Sequence, residues 1–472
     1  MQAPGRIERG PANTLMFAVI FSPKALRLDV LIFSFLLFAG SGPAAVVLQV
    51  GRNFRAARYP ADSTALPPDA ALGVSTNHLV ELVNGRYSVF NKAASPTLLQ
   101  TETDLSFWAN AGITIPSGSG VGDPRVFFDP ASQRWFATMI DFSSSSVSNR
   151  FLVAVSATAD PTGLWRGRAF VADPLNGYNA DFPTFGIDAT GVYLGGNLFD
   201  SSDNPKGTAL VSIPKSDLLA NPPSVAGRTS FGALSYASYG EILQPVVTLG
   251  AASSPEAVLA VGDLGYPPDP FSPPGPHSNL VAAFIQNANS PGGATLDSPT
   301  ILSVPEYLIP IDPPQPGGSD YIADGDARIS AIVYRVGDIL YGTHSTEVSN
   351  RAAIQWFKID ATKLNVIDTG VIADPVLDLF FPSIAANGDG TVMLAFNGSS
   401  ATNFVSSYAI VGEPINGTLS FGNLVLLKAG AASYRTNDTP ETRWGDYSAV
   451  AVDLANPAHF WALTEYPSSS TT

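Results

Sequence analysis

The chain has no cysteine among its 472 residues, and only 14% of them are charged. The first absence excludes disulfides, zinc-thiolate sites and cysteine nucleophiles together. Histidine is nearly as scarce. His78, His277, His344 and His459 fall in separate segments, without metal-ligand spacing such as HExxH. His344 stands beside Ser345 in GTHSTE, but neighbouring strand residues point to opposite faces, so no hydrolase dyad is expected there. Helical periodicity is also missing over most of the length. What abounds is glycine (42) and proline (39), the composition of many short strands joined by tight turns.

No apolar run is long enough for a comfortable membrane span of about 20 residues. VLIFSFLLFA at 30–39 is preceded by Lys24, Arg27 and Asp29 and followed by GSGPAA, the layout of a secretory leader with cleavage near Ala45. Met16 offers a start that leaves a more ordinary leader. The expectation is a signal peptide over 1–45, a secreted or cell-surface product (extracellular or periplasmic) and no membrane span after cleavage. The formal net charge is −15, and losing residues 1–45, with four basic and two acidic side chains, makes it more negative. Such a surface repels phosphate backbones, so nucleic acid is excluded as a partner. An extracellular glycan or a surface protein, met by a monomer, remains.

A repeated grammar runs through the chain. PPDAALGVSTNHLVELVNG (67–85), GDPRVFFDPASQRWFATMID (122–141), ADFPTFGIDATGVYLGGNLF (180–199), GDARISAIVYRVGDILYGTH (325–344), FFPSIAANGDGTVMLAFNGS (380–399) and RWGDYSAVAVDLANPAHFWALTEY (443–466) each read as strand, polar turn, strand. QPVVTLGAASSPEAVLAVGD (244–263) is a weaker copy. Spacings of 54 to 82 residues between copies leave room for about four strands per unit. The predicted fold is all-β, a single propeller over 46–466 with seven four-stranded blades and a polar tail over 467–472. Two packed sandwiches are the competing reading. Between Gly265 and Asp320 lies a proline-rich stretch, read as loops on the fourth blade, with a linker as the competing view.

The last copy supplies only two strands. Val46 to Val50 is free to complete the blade by pairing with Phe460 to Tyr466; otherwise the last blade is incomplete, with an open edge or a chain shorter than its natural length. The phrases VGDPRVFFDPASQRWF, VAVSATADPTGLW, DFPTFGIDATGVYLGGN, PSIAANGDGTVMLAFNGSS and RWGDYSAVAVDLANPAHFWALTEY resemble those of exported bacterial sialidase-like β-propeller proteins, most of them without an assigned function. The resemblance covers most of 65–466 and implies the fold rather than an activity. It departs at the C-terminus, where similar chains continue through further strands.

Three constellations are candidates for chemistry. A sialidase-type site needs arginines converging on a carboxylate and a tyrosine with an acidic partner. Arg125, Arg328 and Arg443 lie near unit entries and Tyr447 follows Asp446, yet the S-x-D-x-G-x-T-W turn box is only echoed by DATGVY and NGDGTVML. The competing view pairs these arginines with carboxylates between blades. The second constellation is a recurring acid: Asp69, Asp123, Asp181, Asp326 and Asp446 share one register at the strand entries, with Gln244 and Phe380 in the other two copies. Either each Asp caps backbone N–H groups between blades, or the ring holds a cation or polyol at the axial mouth, with calcium the natural metal and Phe380 an apolar face for a sugar. The third, DYIADGD with Asp320, Asp324 and Asp326, reads as a solvated turn. Sequons at Asn397, Asn416 and Asn437 predict surface turns.

The reading that follows is an exported propeller that binds a glycan or another polar extracellular molecule. The alternative is a glycan-processing hydrolase or lyase, with its site at the same axial mouth.

Overall fold

The computed structural model describes residues 46–142, 148–250, 255–265, 275–317, 321–435 and 442–468, and the backbone of 12–20. Each copy of the repeated grammar becomes the inner hairpin of an antiparallel meander, and for all but the last the segment that follows it supplies the outer strands. The first sheet is formed by Ala71–Val74, His78–Val83, Arg86–Asn91 and Leu98–Glu102, and the second by Gly120–Asp129, Arg134–Phe142, Arg150–Ser156 and Trp165–Val171. The third runs Asn179–Ile187, Gly191–Phe199, Pro205–Pro214 and Thr229–Leu234. The fourth is Glu241–Thr248, Glu256–Val261, His277–Gln286 and Thr300–Tyr307, and the fifth Val333–Val336, Ile339–Glu347, Ala352–Asp360 and Asn365–Ile372. The sixth begins with Asp378–Ala386, Val392–Ser400 and Asn403–Ile415.

Within each sheet the first strand is innermost, and the innermost strands of successive sheets lie against one another. In the middle of the chain they even share parallel backbone pairs, Ile187 with Val247 and Val246 with Val333. Ala449–Val452 lies against the innermost strands of both the sixth and the first sheet, so the order returns to its start. The fold is a β-propeller, in which radial packing leaves only short edges unpaired.

Because each sheet is covered on both faces by its neighbours, the inner strands are buried almost without alternation. The apolar clusters accordingly lie between sheets: Val80, Tyr87 and Trp135 between the first and second, Tyr341, Trp356 and Leu394 between the fifth and sixth. Trp135 is completely buried, a contribution of about 1.5–3 kcal/mol for a side chain of this kind. Its ring lies where a Cβ on Gly73 would come within 2.7 Å, so the close approach of the first two sheets needs glycine at that position.

The closing sheet takes strands from both ends of the chain, in the order Ala449–Val452, His459–Pro467, Ala12–Ile20, Gln49–Arg58. The run Val46–Val50, expected in the same sheet as Phe460–Tyr466, does enter that sheet at Gln49 and Val50, with one strand between the two. Ala12–Ile20 pairs with His459–Pro467 from Ala12↔Pro467 to Ile20↔His459, and Val50 pairs instead with Val19. The apolar run at 30–39 lies outside the described residues. Within the proline-rich stretch, His277–Gln286 and Thr300–Tyr307 are the outer strands of the fourth unit, and the segments between and around them carry nearly all of its prolines. One expectation is corrected. Asn397 is buried and donates to the carbonyls of Glu465 and Ser406, so its sequon is no surface turn. Asn416 does lie in an exposed hairpin turn, and Asn437 is outside the described residues.

Candidate active site at the axial mouth

The unit entries are set by a backbone device that the side chains alone do not announce. Asp69, Asp123, Phe182, Ile242 and Phe381 all have φ between 48° and 57°, the left-handed region that bulky residues avoid. In four of these strands a pairing irregularity spans the same place: Gly122/Arg125, Asp181/Thr184, Glu241/Gln244 and Phe380/Ser383. These bulges re-aim the entry side chains towards the axis. They also revise the acid register. Asp69 and Asp123 occupy the left-handed position itself, whereas Asp181, Glu241 and Phe380 occupy the position before it.

The left-handed position is architectural. Asp69 Oδ1 accepts the N–H of Asp446 at 2.8 Å and Oδ2 accepts Asn84 Nδ2 at 2.8 Å. Asp123 Oδ2 accepts the N–H of Phe182 at 3.1 Å. Each carboxyl therefore ties its own unit to a neighbour. Burial, and next the negative charge of Asp446, push Asp69 up to about 7. Asp123 is raised as well, first by burial and then by Asp69.

Phe182, Ile242 and Tyr447 meet as one buried cluster from the third, fourth and closing sheets and fill the axis. The Arg125 guanidinium lies 3.5 Å from the Tyr447 ring centroid, and its Nε donates to Pro183 O. Tyr447 is buried, with its hydroxyl donating to Pro124 O at 2.9 Å. Tyr447 as a nucleophile or ligand contact does not fit this arrangement, and Arg125 is buried within it with Nη2 left without a partner. Phe380 is likewise withdrawn from the ligand, fully buried among Ile322, Phe381, Val405, Tyr434 and Trp444.

Above this plug opens a cavity of about 650 Å³. Asp181, Glu241, Asp326 and Asp446 line it together with Arg328 and Arg443, and one wall is apolar, built from Phe199, Leu264 and the Ile309–Ile311 strap. Arg328 grips Asp326 through Nε at 2.8 Å and 2.7 Å, and its guanidinium lies over the Phe182 ring at 4.7 Å. Arg443 pairs with Asp446 at 2.9 Å. Glu241 was missed by sequence reasoning, which took Gln244 as the entry of this copy. Gln244 is instead fully buried and donates to Phe185 O. The signal was available: GEILQP aligns with ADFPTF and LFFPSI once the large apolar residue, not the acid, is taken as the anchor.

Glu241 is the chemically distinctive group. Only 1% of it is exposed, its Oε2 has no hydrogen-bond partner, and burial followed by the charge of Asp326 pushes it up to about 7. A buried polar atom without a partner calls for an explanation, such as a bound water, an ion or a catalytic role. Asp324, expected in a solvated turn, is buried and accepts from Ser345 Oγ. His344 is buried against Tyr307 and Phe357. Among the described residues no group of three or more His, Asp or Glu side chains is arranged to hold a metal ion.

No family model and no curated protein matches the sequence. Among solved structures, the chain is similar to an exo-1,5-alpha-L-arabinanase from a bovine ruminal metagenomic library, at 11% identity and TM-score 0.37, covering 77% of this chain and 97% of that one. It is also similar to an exo-beta-1,3-galactanase from Phanerochaete chrysosporium solved with galactose (12%, TM-score 0.34, 86% and 93% covered). A third is a mutant alpha-L-arabinanase from Cellvibrio cellulosa (10%, TM-score 0.34, 75% and 94% covered). The functional reading rests on the cavity itself.

Proposed function

We propose that the chain is a seven-bladed β-propeller whose axial mouth hydrolyses a glycosidic bond. The blade count is supported by the cyclic order of innermost strands, and the activity by one observation. A protonatable carboxyl with a free oxygen, Glu241, shares a cavity with the arginine-paired carboxylates Asp326 and Asp446. Glycoside hydrolysis needs this division of labour, a carboxylic acid to protonate the leaving oxygen and a carboxylate to activate water or attack. In this reading Glu241 is the acid and Asp446 the carboxylate, with Asp181 beside them. Among the carboxyls lining the mouth, Glu241 is the one with a buried oxygen that lacks a partner. A sialidase-type mechanism is not favoured, since Tyr447 lies in the plug.

Export through the leader at 1–45 belongs to the same proposal. The strand Ala12–Ile20 falls within that leader, so cleavage near Ala45 would free the edge of His459–Pro467 for another strand. The test of the activity is release of reducing ends from a panel of polysaccharides and chromogenic glycosides by the parent and by Glu241→Gln. Turnover by the parent that the variant lacks supports the proposal. A folded parent that releases nothing from any member overturns it in favour of a binding module.

A further inference from the structure

Gln49–Arg58 is the last strand of the closing sheet, and among the described residues no strand pairs with its outer side. The first sheet packs beside it and reaches further out. Phe54 meets Phe90 with 5.0 Å between ring centroids, so Gln49–Arg58 lies against Arg86–Asn91, while Leu98 on the strand beyond stays 51% exposed. The step between the two sheets is a groove of about 400 Å³. Its floor is one face of the first sheet, where Phe90 pairs with Leu98 and Ser88 with Thr101, and its wall is the edge from Phe54 to Arg58. All of these residues follow Ala45, and Phe54 and Ala56 pack on the cluster of Leu79, Phe90 and Trp461, so the groove takes no residue from the leader.

The groove is basic in a chain of net charge −15. Arg55, Arg58 and Arg86 line it with a single carboxylate, Asp62, which Arg58 holds through Nε at 2.8 Å. Arg86 adds to the field around Asp62 without bonding to it, and among the described residues the guanidiniums of Arg55 and Arg86 make no hydrogen bond or ion pair. An unpaired edge offers backbone donors and acceptors at the spacing of an extended peptide, and unpaired guanidiniums select carboxylates. A saccharide on the floor would leave the edge unused. We propose that the groove docks an extended acidic segment of a partner protein, added to the closing sheet beside Gln49–Arg58 and lying across Leu98 and Thr101. Successive side chains of a strand point to opposite faces, so the matching segment alternates apolar residues, towards the floor, with acidic ones. This surface is separate from the axial mouth and does not rest on the hydrolase reading.

The test titrates the full chain with a labelled, capped octapeptide of alternating valine and glutamate, read by fluorescence anisotropy. Four probes are compared with it: the glutamine counterpart, the same peptide N-methylated at every valine, the same peptide N-methylated at every glutamate, and an oligogalacturonate. The net charge of the protein disfavours the glutamate peptide, so a preference for it reports the groove. The expected result is binding about tenfold or more tighter than the glutamine counterpart, with the advantage lost in the double variant Arg55→Glu, Arg86→Glu at an unchanged melting temperature. One N-methylated peptide should bind as the parent peptide does and the other about tenfold or more weaker, because only one edge of the added strand bonds to Gln49–Arg58. This comparison needs no variant and stands even where the double variant fails to fold. Equal binding of the two N-methylated peptides would show attraction without strand addition and would overturn the proposal. Tighter binding of the oligogalacturonate would give the groove to an acidic saccharide and overturn it as well. No binding of any probe would leave Arg55 and Arg86 as charged guards of a bare edge, again against the proposal.

Discussion

Asp69 Oδ1 accepts the backbone N–H of Asp446 across 377 residues of chain, at 2.8 Å. This single contact joins the first sheet to the closing sheet at the rim of the candidate site. Asp69→Ala should lower stability by about 1–3 kcal/mol, because it leaves the N–H of Asp446 without its acceptor and the Asn84 amide with Pro67 O alone. Asp69→Asn keeps an acceptor and tolerates the left-handed backbone, so it should lose less. Urea titration of both variants is the measurement.

The same carboxyl makes stability depend on pH. In the unfolded chain Asp69 ionises near about 4, whereas in the fold it is held up to about 7. The native state thus binds the proton more tightly, and this contribution is full below about pH 4 and declines as pH rises through about 7. Glu241 adds a decline of the same sign. Melting temperature should fall between these pH values, and the slope should be shallower in Asp69→Asn.

Catalysis should follow the protonated form of Glu241. The rate should fall above about pH 7, where the carboxyl loses its proton. Glu241→Gln should reduce turnover by about a hundred- to ten-thousand-fold, the usual weight of a general acid. Substrate binding should survive. A variant with full turnover would remove Glu241 from the mechanism.

Tyr447→Phe discriminates the plug from a nucleophile. Loss of the hydroxyl leaves Pro124 O unsatisfied and should cost about 1–2 kcal/mol of stability. Turnover per folded molecule should be unchanged, whereas a nucleophilic tyrosine would take all activity with it.

Calcium should be irrelevant. Titration calorimetry of the parent should give no binding heat, and chelation should not shift its melting temperature. A calcium-dependent shift that disappears in both Asp181→Asn and Asp446→Asn would restore the metal reading.

The inner hairpins were legible because their rule is local. VFFDPASQRWF and FGIDATGVYL each place apolar residues around an Asp-led turn, and Asp129 and Asp188 do hold those turns through N–H groups two and three residues on. The acids could be seen to gather but not to divide. Asp69 and Asp181 look equivalent in sequence, and a one-residue offset around a left-handed bulge sends the first into the interface and the second into the cavity. Contacts made across the axis, such as Tyr447 with Pro124, join segments more than 300 residues apart and leave no local pattern. Phe380 misled for a related reason: an apolar residue at a polar register position suggested a sugar platform, yet the loops carrying Tyr434 and Trp444 cover it.

The plug formed by Phe182, Ile242 and Tyr447 makes the mouth a blind cup rather than a tunnel. A polymer cannot thread through it, and whatever is released must leave by the opening through which the next molecule arrives. Departure and arrival then compete for one doorway. Under the proposed hydrolysis, accumulating product is therefore expected to compete with fresh substrate for the cup, whatever the rate of the chemical step.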